Sequence, residues 1–265
     1  MRQRKVGVMV ESFPMPIMDG IKKASELGLD GFQVFVTGGV MAPENMTKTG
    51  RDDFKAYVAS QGLVISALCA DYGYGFLDAN KNDEYVPKSL ACVDLAVDLG
   101  TNVITTHIGT LPTDMNDPSY KVCQEAMTVL AKYAESKGIY FASETGPECA
   151  EELYAFLKTI PSKGIAVNYD PANLAMNGFD HINGVRVLKD YIVHTHAKDG
   201  VQYSKPDRSV PSPLEVPLGK GNVDFPTYLA VLDEVGFDGF LTIERETGED
   251  PAADIIEAAG YLRTL

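Results

Sequence analysis

Residues 95–107 read LAVDLGTNVITTH: a helix-like apolar stretch stops at Gly100, and two residues later a run of β-branched residues begins. Glycine suits the position just past a helix, because the left-handed backbone that caps the last carbonyls costs it little. The run that follows is nearly continuous in hydrophobicity, as a parallel strand buried on both faces should be. The same cassette recurs as ASELG before GFQVFV, VASQG before LVISAL, AESKG before IYFAS, TIPSKG before IAVNY and LDEVG before GFLTIE. Its glycines are Gly28, Gly62, Gly138, Gly164 and Gly236.

The opening run VGVMVESF and the run YIVHTHAKD bring the strands to eight. They are expected at Val6–Phe13, Gly31–Val36, Val64–Asp71, Asn102–Gly109, Ile139–Gly146, Ile165–Asp170, Ile192–Asp199 and Phe240–Glu246, with helical segments between them. Eight βα units in 265 residues, with no linker or low-complexity stretch, point to one α/β domain over residues 1–265, a (β/α)8 TIM barrel. No GxGxxG follows the first strand, which disfavours a dinucleotide-binding fold.

Composition narrows the chemistry. The 45% hydrophobic and 23% charged residues are ordinary for a globular protein. A formal charge of −14, from 23 basic against 37 acidic residues, repels phosphodiester backbones and anionic lipid, so a small neutral substrate fits better than nucleic acid or a membrane surface. Cys69, Cys92, Cys123 and Cys149 form no CxxC pair, so reduced structural thiols and a cytoplasmic location are expected. The apolar run Val6–Val10 meets Glu11 at once, too short for a signal-peptide core, and no stretch is long enough to span a bilayer.

In a TIM barrel the active site forms at the C-terminal ends of the strands, so a polar residue ending an apolar strand is the one to read. Strand five ends in Glu144, strand six in Asp170 with Asn173 beyond it, strand seven carries His194, His196, Lys198 and Asp199, strand eight carries Glu244 and Glu246, and strand four adds His107. Taken singly, strand-end carboxylates more often cap helices or form ion pairs. Glu, Asp, His and Glu at the ends of four successive strands are a different matter, because converging carboxylates repel unless a cation neutralises them. One divalent metal among Glu144, Asp170, His196 and Glu244 is therefore expected. Three carboxylates and one imidazole favour Mn²⁺, with Mg²⁺, Co²⁺ or Zn²⁺ as alternatives. Glu246 reads as an ion-pair residue and His181 as a solvent-exposed loop residue.

At these residues the chain resembles the xylose-isomerase-like TIM-barrel superfamily, which includes sugar isomerases, ketose 3-epimerases, inosose dehydratases and metal-dependent apurinic endonucleases. The likeness spans essentially the whole chain. Its most specific parts are SETG at Glu144, YDPANL from Tyr169, HTHAKDG from His194, PLGKGNVDF, and LTIERE with Glu244. The resemblance implies that Glu144, Asp170, His196 and Glu244 bind the metal, and that Glu144 and Glu244 flank the substrate carbon as an acid/base pair. Asn173 stands where the epimerases carry a histidine, so the sugar contact is altered. Strand three ends in LCAD without the histidine an endonuclease needs, which argues against DNA repair.

The expected activity is epimerisation or isomerisation of a carbohydrate by proton transfer through an enediolate next to a carbonyl. The alternative is a dehydratase or lyase on an inosose or 3-keto-glycoside, with His107 as general acid. His107, Asn173, His194, Lys198, Asp199 and Arg208 form the candidate substrate-contacting set, His194 taking a supporting place behind His196. A homo-oligomer is compatible with the sequence.

Overall fold

Aspartates mark where several of the helices begin. Asp78, Asp117, Asp180, Asp224 and Asp250 accept backbone N–H groups at the first turns of the helices that follow them. That satisfies donors with no partner inside the helix. Proline follows the cap directly in Pro118–Ser136 and Pro251–Thr264, where its missing N–H costs nothing. The glycine cassettes supply the stops. The helix Ala79–Leu99 ends on Gly100 at φ 81°, and Gly28, Gly62, Gly138 and Gly236 are also left-handed.

Gly164 departs from this pattern, since it is absent from the left-handed glycines. A Cβ there would run into the carbonyl oxygen of Ala131, so glycine is required by the close approach of the chain to the helix Pro118–Ser136.

The computed structural model describes residues 4–202 and 215–265. Eight parallel strands close into a barrel: β1 (Lys5–Met9), β2 (Gly31–Phe35), β3 (Val64–Cys69), β4 (Val103–Thr106), β5 (Tyr140–Glu144), β6 (Ile165–Tyr169), β7 (Ile192–Ala197) and β8 (Phe240–Ile243). Neighbours follow chain order, and β8 pairs with β1 to close the ring. Helices alternate with the strands, as the TIM barrel requires.

Several strands stop short of the expected ends. Val10–Ser12 turns as a 3-10 helix instead of extending β1, and Asp71, His107, Asp170 and Glu244 lie just beyond their strands. There the side chains take over from the sheet: the Asp170 N–H, for example, donates to Thr145 Oγ1 at 2.8 Å. Asp199–Gly200 leaves β7 to form a short antiparallel pair with Glu215–Val216.

The outward faces of the strands meet the helices through Val8, Phe32, Val34, Leu68, Ile104, Phe141, Val167 and Ile243, all within the main hydrophobic core. Inside the barrel the packing is different. Gln33, Thr105, Asn168, His194 and Thr242 are all buried. Buried polar groups are costly unless bonded, and these bond to one another: Gln33 to Thr105, Asn168 to His194, and Thr242 to His194. Among the described residues no helix is long and apolar enough to cross a membrane.

Candidate metal centre

Parallel register carries the four expected ligands to one rim. Glu144 is the last residue of β5, Asp170 follows β6, His196 lies in β7, and Glu244 follows β8. One ligand atom from each lies within 4.8 Å of every other. His196 Nδ1 faces Glu244 Oε2 at 3.1 Å, Glu144 Oε1 at 3.4 Å and Asp170 Oδ2 at 3.9 Å.

Asp170 divides its carboxylate between two tasks. Oδ1 caps the helix Pro171–Met176, accepting from Ala172 and Asn173 N–H at 2.7 and 3.2 Å. Oδ2 is buried with no hydrogen bond, and so is His196 Nδ1. Two unpartnered polar atoms facing one point, in a cluster that includes three carboxylates, are costly unless something binds there. Among the described residues, Lys198 brings a fixed cation to the cluster, donating to Glu244 Oε2 at 3.0 Å and also to Glu246. Three cluster carboxylates outnumber the one ammonium, which is itself shared with Glu246, so negative charge remains that a divalent cation would offset. The residues therefore fit a hard divalent metal with open positions for oxygen ligands.

The titration of the cluster tells the same story. Burial, reinforced by Glu144 and Glu244, pushes the Asp170 carboxyl up to about 7. Burial opposes charge on His196, but the Glu244 and Glu144 carboxylates overcome it and hold the imidazole well above its usual range. Burial would likewise raise Glu244, yet His196 and Lys198 hold it down at about 2. Without a cation, protons on Asp170 and His196 compensate for part of the negative charge.

The expected substrate contacts separate into two groups. His107, Asn173 and Lys198 join the cluster. Asn173 donates to Glu144 Oε1 at 3.1 Å. His107 Nε2 lies 3.4 Å from the same oxygen, and its side chain is 47% exposed, so it opens toward the mouth. The side chains of His194 and Asp199 are taken up by other protein groups. His194 sits one layer deeper, bonded to Asn168 Oδ1 at 2.9 Å and Thr242 Oγ1 at 2.9 Å, and burial drives its pKa down to about 3, so it is a neutral structural histidine. Asp199 spends its carboxylate on four backbone N–H groups, those of Gly200, Gly219, Gly221 and Val223. Arg208 lies outside the described residues. His181 opens the helix His181–Leu188 instead of sitting in a loop, and its carbonyl accepts the Tyr169 hydroxyl at 2.6 Å.

Three residues missed by the sequence reading complete the cluster. Gln33 contacts His196 Nε2 through Oε1 at 2.9 Å. Asn168 donates to Glu144 Oε2 at 3.0 Å. Asp71 holds His107 Nδ1 at 2.7 Å while its other oxygen accepts the Gly73 N–H. Each is a lone polar residue in or just past an apolar strand, the signal that singled out Glu144.

The sequence profile of the family described as xylose isomerase-like TIM barrel matches residues 21–265. The chain belongs to this family. Family relatives carry known and putative activities. A putative L-ribulose-5-phosphate 3-epimerase from Haemophilus influenzae is 22% identical over 277 residues, covering 99% of this chain and 96% of its own. Among solved structures, a xylose isomerase domain protein from Planctomyces limnophilus superposes with TM-score 0.85 at 23% identity, covering 98% of this chain and 96% of its own. The IOLI protein, described with a bound zinc atom, superposes with TM-score 0.81 at 17% identity, covering 98% and 96%.

Proposed function

We propose that this xylose isomerase-like protein is a metal-dependent sugar epimerase or isomerase that moves a proton next to a carbonyl, working as one barrel domain. The observation that carries the reading is the convergence of Glu144, Asp170, His196 and Glu244 around two buried, unpartnered atoms, Asp170 Oδ2 and His196 Nδ1. The zinc described in the IOLI structure and the epimerase name of the Haemophilus relative point the same way.

A divalent cation bound here, Mn²⁺ by preference, would supply the electrophile that makes the carbon acid removable and stabilises the developing enediolate. The chain's own groups do the rest. Asn168 and Asn173 hold the two oxygens of Glu144, fixing it as the base that takes the proton. Lys198 donates to Glu244 Oε2, the oxygen that also faces His196 Nδ1, and Glu244, which must first take up a proton because these two neighbours hold it ionised, gives that proton to the other face of the carbon and inverts it. Asn173 leaves a polar, uncharged contact for a sugar hydroxyl. The formal charge of −14 favours an uncharged carbohydrate.

A second reading, dehydration or lysis, is favoured by the Asp71–His107 pair. An imidazole oriented by a carboxylate and open to the mouth is placed to protonate a leaving group.

The test is NMR of the metal-loaded protein in D₂O with a panel of ketoses, inososes and 3-keto-glycosides. Deuterium entering a carbon next to the carbonyl, without loss of a substituent, supports epimerisation or isomerisation. Elimination products favour the second reading, and no exchange with any substrate sinks both.

A further inference from the structure

His196 can present its lone pair to the cluster only if the ring carries its proton on the other nitrogen, and the strand on the far side of the barrel addresses that nitrogen. Gln33 in β2 is fully buried. Its amide nitrogen donates to Thr105 Oγ1 at 2.8 Å, which turns its oxygen toward His196 Nε2 at 2.9 Å. A carbonyl oxygen at that distance demands a hydrogen on Nε2, since two acceptors facing each other would repel. The other neighbour of Nε2 is Asn168 Nδ2 at 3.2 Å, and that amide is aimed at Glu144 Oε2 at the shorter distance of 3.0 Å.

We infer that Gln33 is a positioning residue for the metal centre: its side-chain oxygen holds His196 as the Nε2–H tautomer, so that Nδ1 is directed to the cation between Glu144 and Glu244. The inference rests on the metal-centre reading of the four ligands. Outer-shell partners of this kind typically change metal affinity 10–100-fold when removed. Gln33 is also neutral, so it fixes the ring without adding a further negative charge to a site whose cluster already includes three carboxylates.

The chain has four histidines, His107, His181, His194 and His196, few enough to assign individually by ¹⁵N NMR. In protein loaded with diamagnetic Zn²⁺, His196 is expected to show a protonated Nε2 and a metal-shifted Nδ1. Calorimetric titration of metal-free Gln33→Leu with Zn²⁺ is expected to show affinity reduced about 10–100-fold, with the Nε2–H signature lost. Gln33→Glu, which keeps the acceptor oxygen, restores affinity to within a few-fold of wild type. Far-UV circular dichroism and the unfolding midpoint of the metal-free variants separate this from misfolding, because a merely structural role would lower the midpoint without touching the tautomer. Wild-type affinity in Gln33→Leu, or an unprotonated Nε2 in the loaded wild type, overturns the role of Gln33 alone. Failure of the wild type to take up one equivalent of Zn²⁺ overturns the metal centre and this inference with it.

Discussion

Asp71 Oδ2 lies 2.7 Å from His107 Nδ1, and the opposite ring nitrogen of His107 lies 3.4 Å from Glu144 Oε1. A carboxylate behind an imidazole fixes its tautomer and aims its free nitrogen, here toward the proposed base and the mouth. In the proposed epimerisation no such group is needed, because Glu144 and Glu244 serve as base and acid. Elimination needs one.

His107→Ala is therefore expected to cut elimination from a substrate with a leaving group β to the carbonyl by about 100-fold or more, while deuterium exchange at the α-carbon persists. Asp71→Asn should show a smaller loss of the same kind. Equal loss of exchange and elimination, measured side by side by NMR, would place His107 in binding instead.

Metal affinity should depend on pH with a definite sign. The Asp170 carboxyl, pushed up to about 7 chiefly by burial, holds a proton in the metal-free protein that a cation must displace. Protons compete more strongly as pH falls, so affinity should weaken below about pH 7, and because the His196 proton, held well above the usual imidazole range, must also leave, affinity should keep rising above it. Calorimetry in buffers of differing ionisation enthalpy should detect proton release on binding near pH 6, and its absence would contradict the assignment.

Glu148 offers a pH effect on stability separate from the metal. One of its oxygens is buried without a partner, and burial pushes its pKa up to about 7. The neutral acid is favoured in the folded state, so this stabilisation is complete below the unfolded value near 4.5 and is lost as pH rises through about 7. Glu148→Gln removes the ionisation and should gain stability over the wild type between pH 5 and pH 8, by at most about 3 kcal/mol. Urea denaturation at the two pH values checks this; a constant difference would rule out Glu148 as the source.

Asp199 is expected to matter for folding instead of chemistry. Asp199→Ala strands four backbone N–H groups that now share one carboxylate, a loss of about 2–4 kcal/mol. Affinity of the folded variant for Mn²⁺ should stay within about threefold of wild type by the same titration. A large loss of metal affinity with normal stability would return Asp199 to the site.

The eight-strand order and the four candidate ligands were legible because both rest on local signals. Gly100 and its counterparts mark helix ends by backbone conformation, and Glu144, Asp170 and Glu244 stand out against the apolar strands they end. The supporting place of His194 behind His196 was expected from the sequence, and two residues of strand rise, about 7 Å, set the two in different layers. What escaped depended on partners far along the chain. Gln33 meets His196 from 163 residues away, and Asp199 is claimed by amides 20 to 24 residues later. Gly164 carried the same letter as the helix caps for a different reason, a backbone approach that only the packed fold creates.

The most direct test of the metal centre is titration of metal-free protein with Mn²⁺, following the free ion by electron paramagnetic resonance, in the wild type, Asp170→Asn and Glu244→Gln. Asp170→Asn keeps the Oδ1 acceptor that caps its helix while removing the charge, so its fold should survive. One tight Mn²⁺ per chain, weakened about 100-fold or more in each variant, is the expected result. No stoichiometric uptake by the wild type, or uptake undiminished in both variants, would contradict the assignment of Glu144, Asp170, His196 and Glu244 as a metal centre.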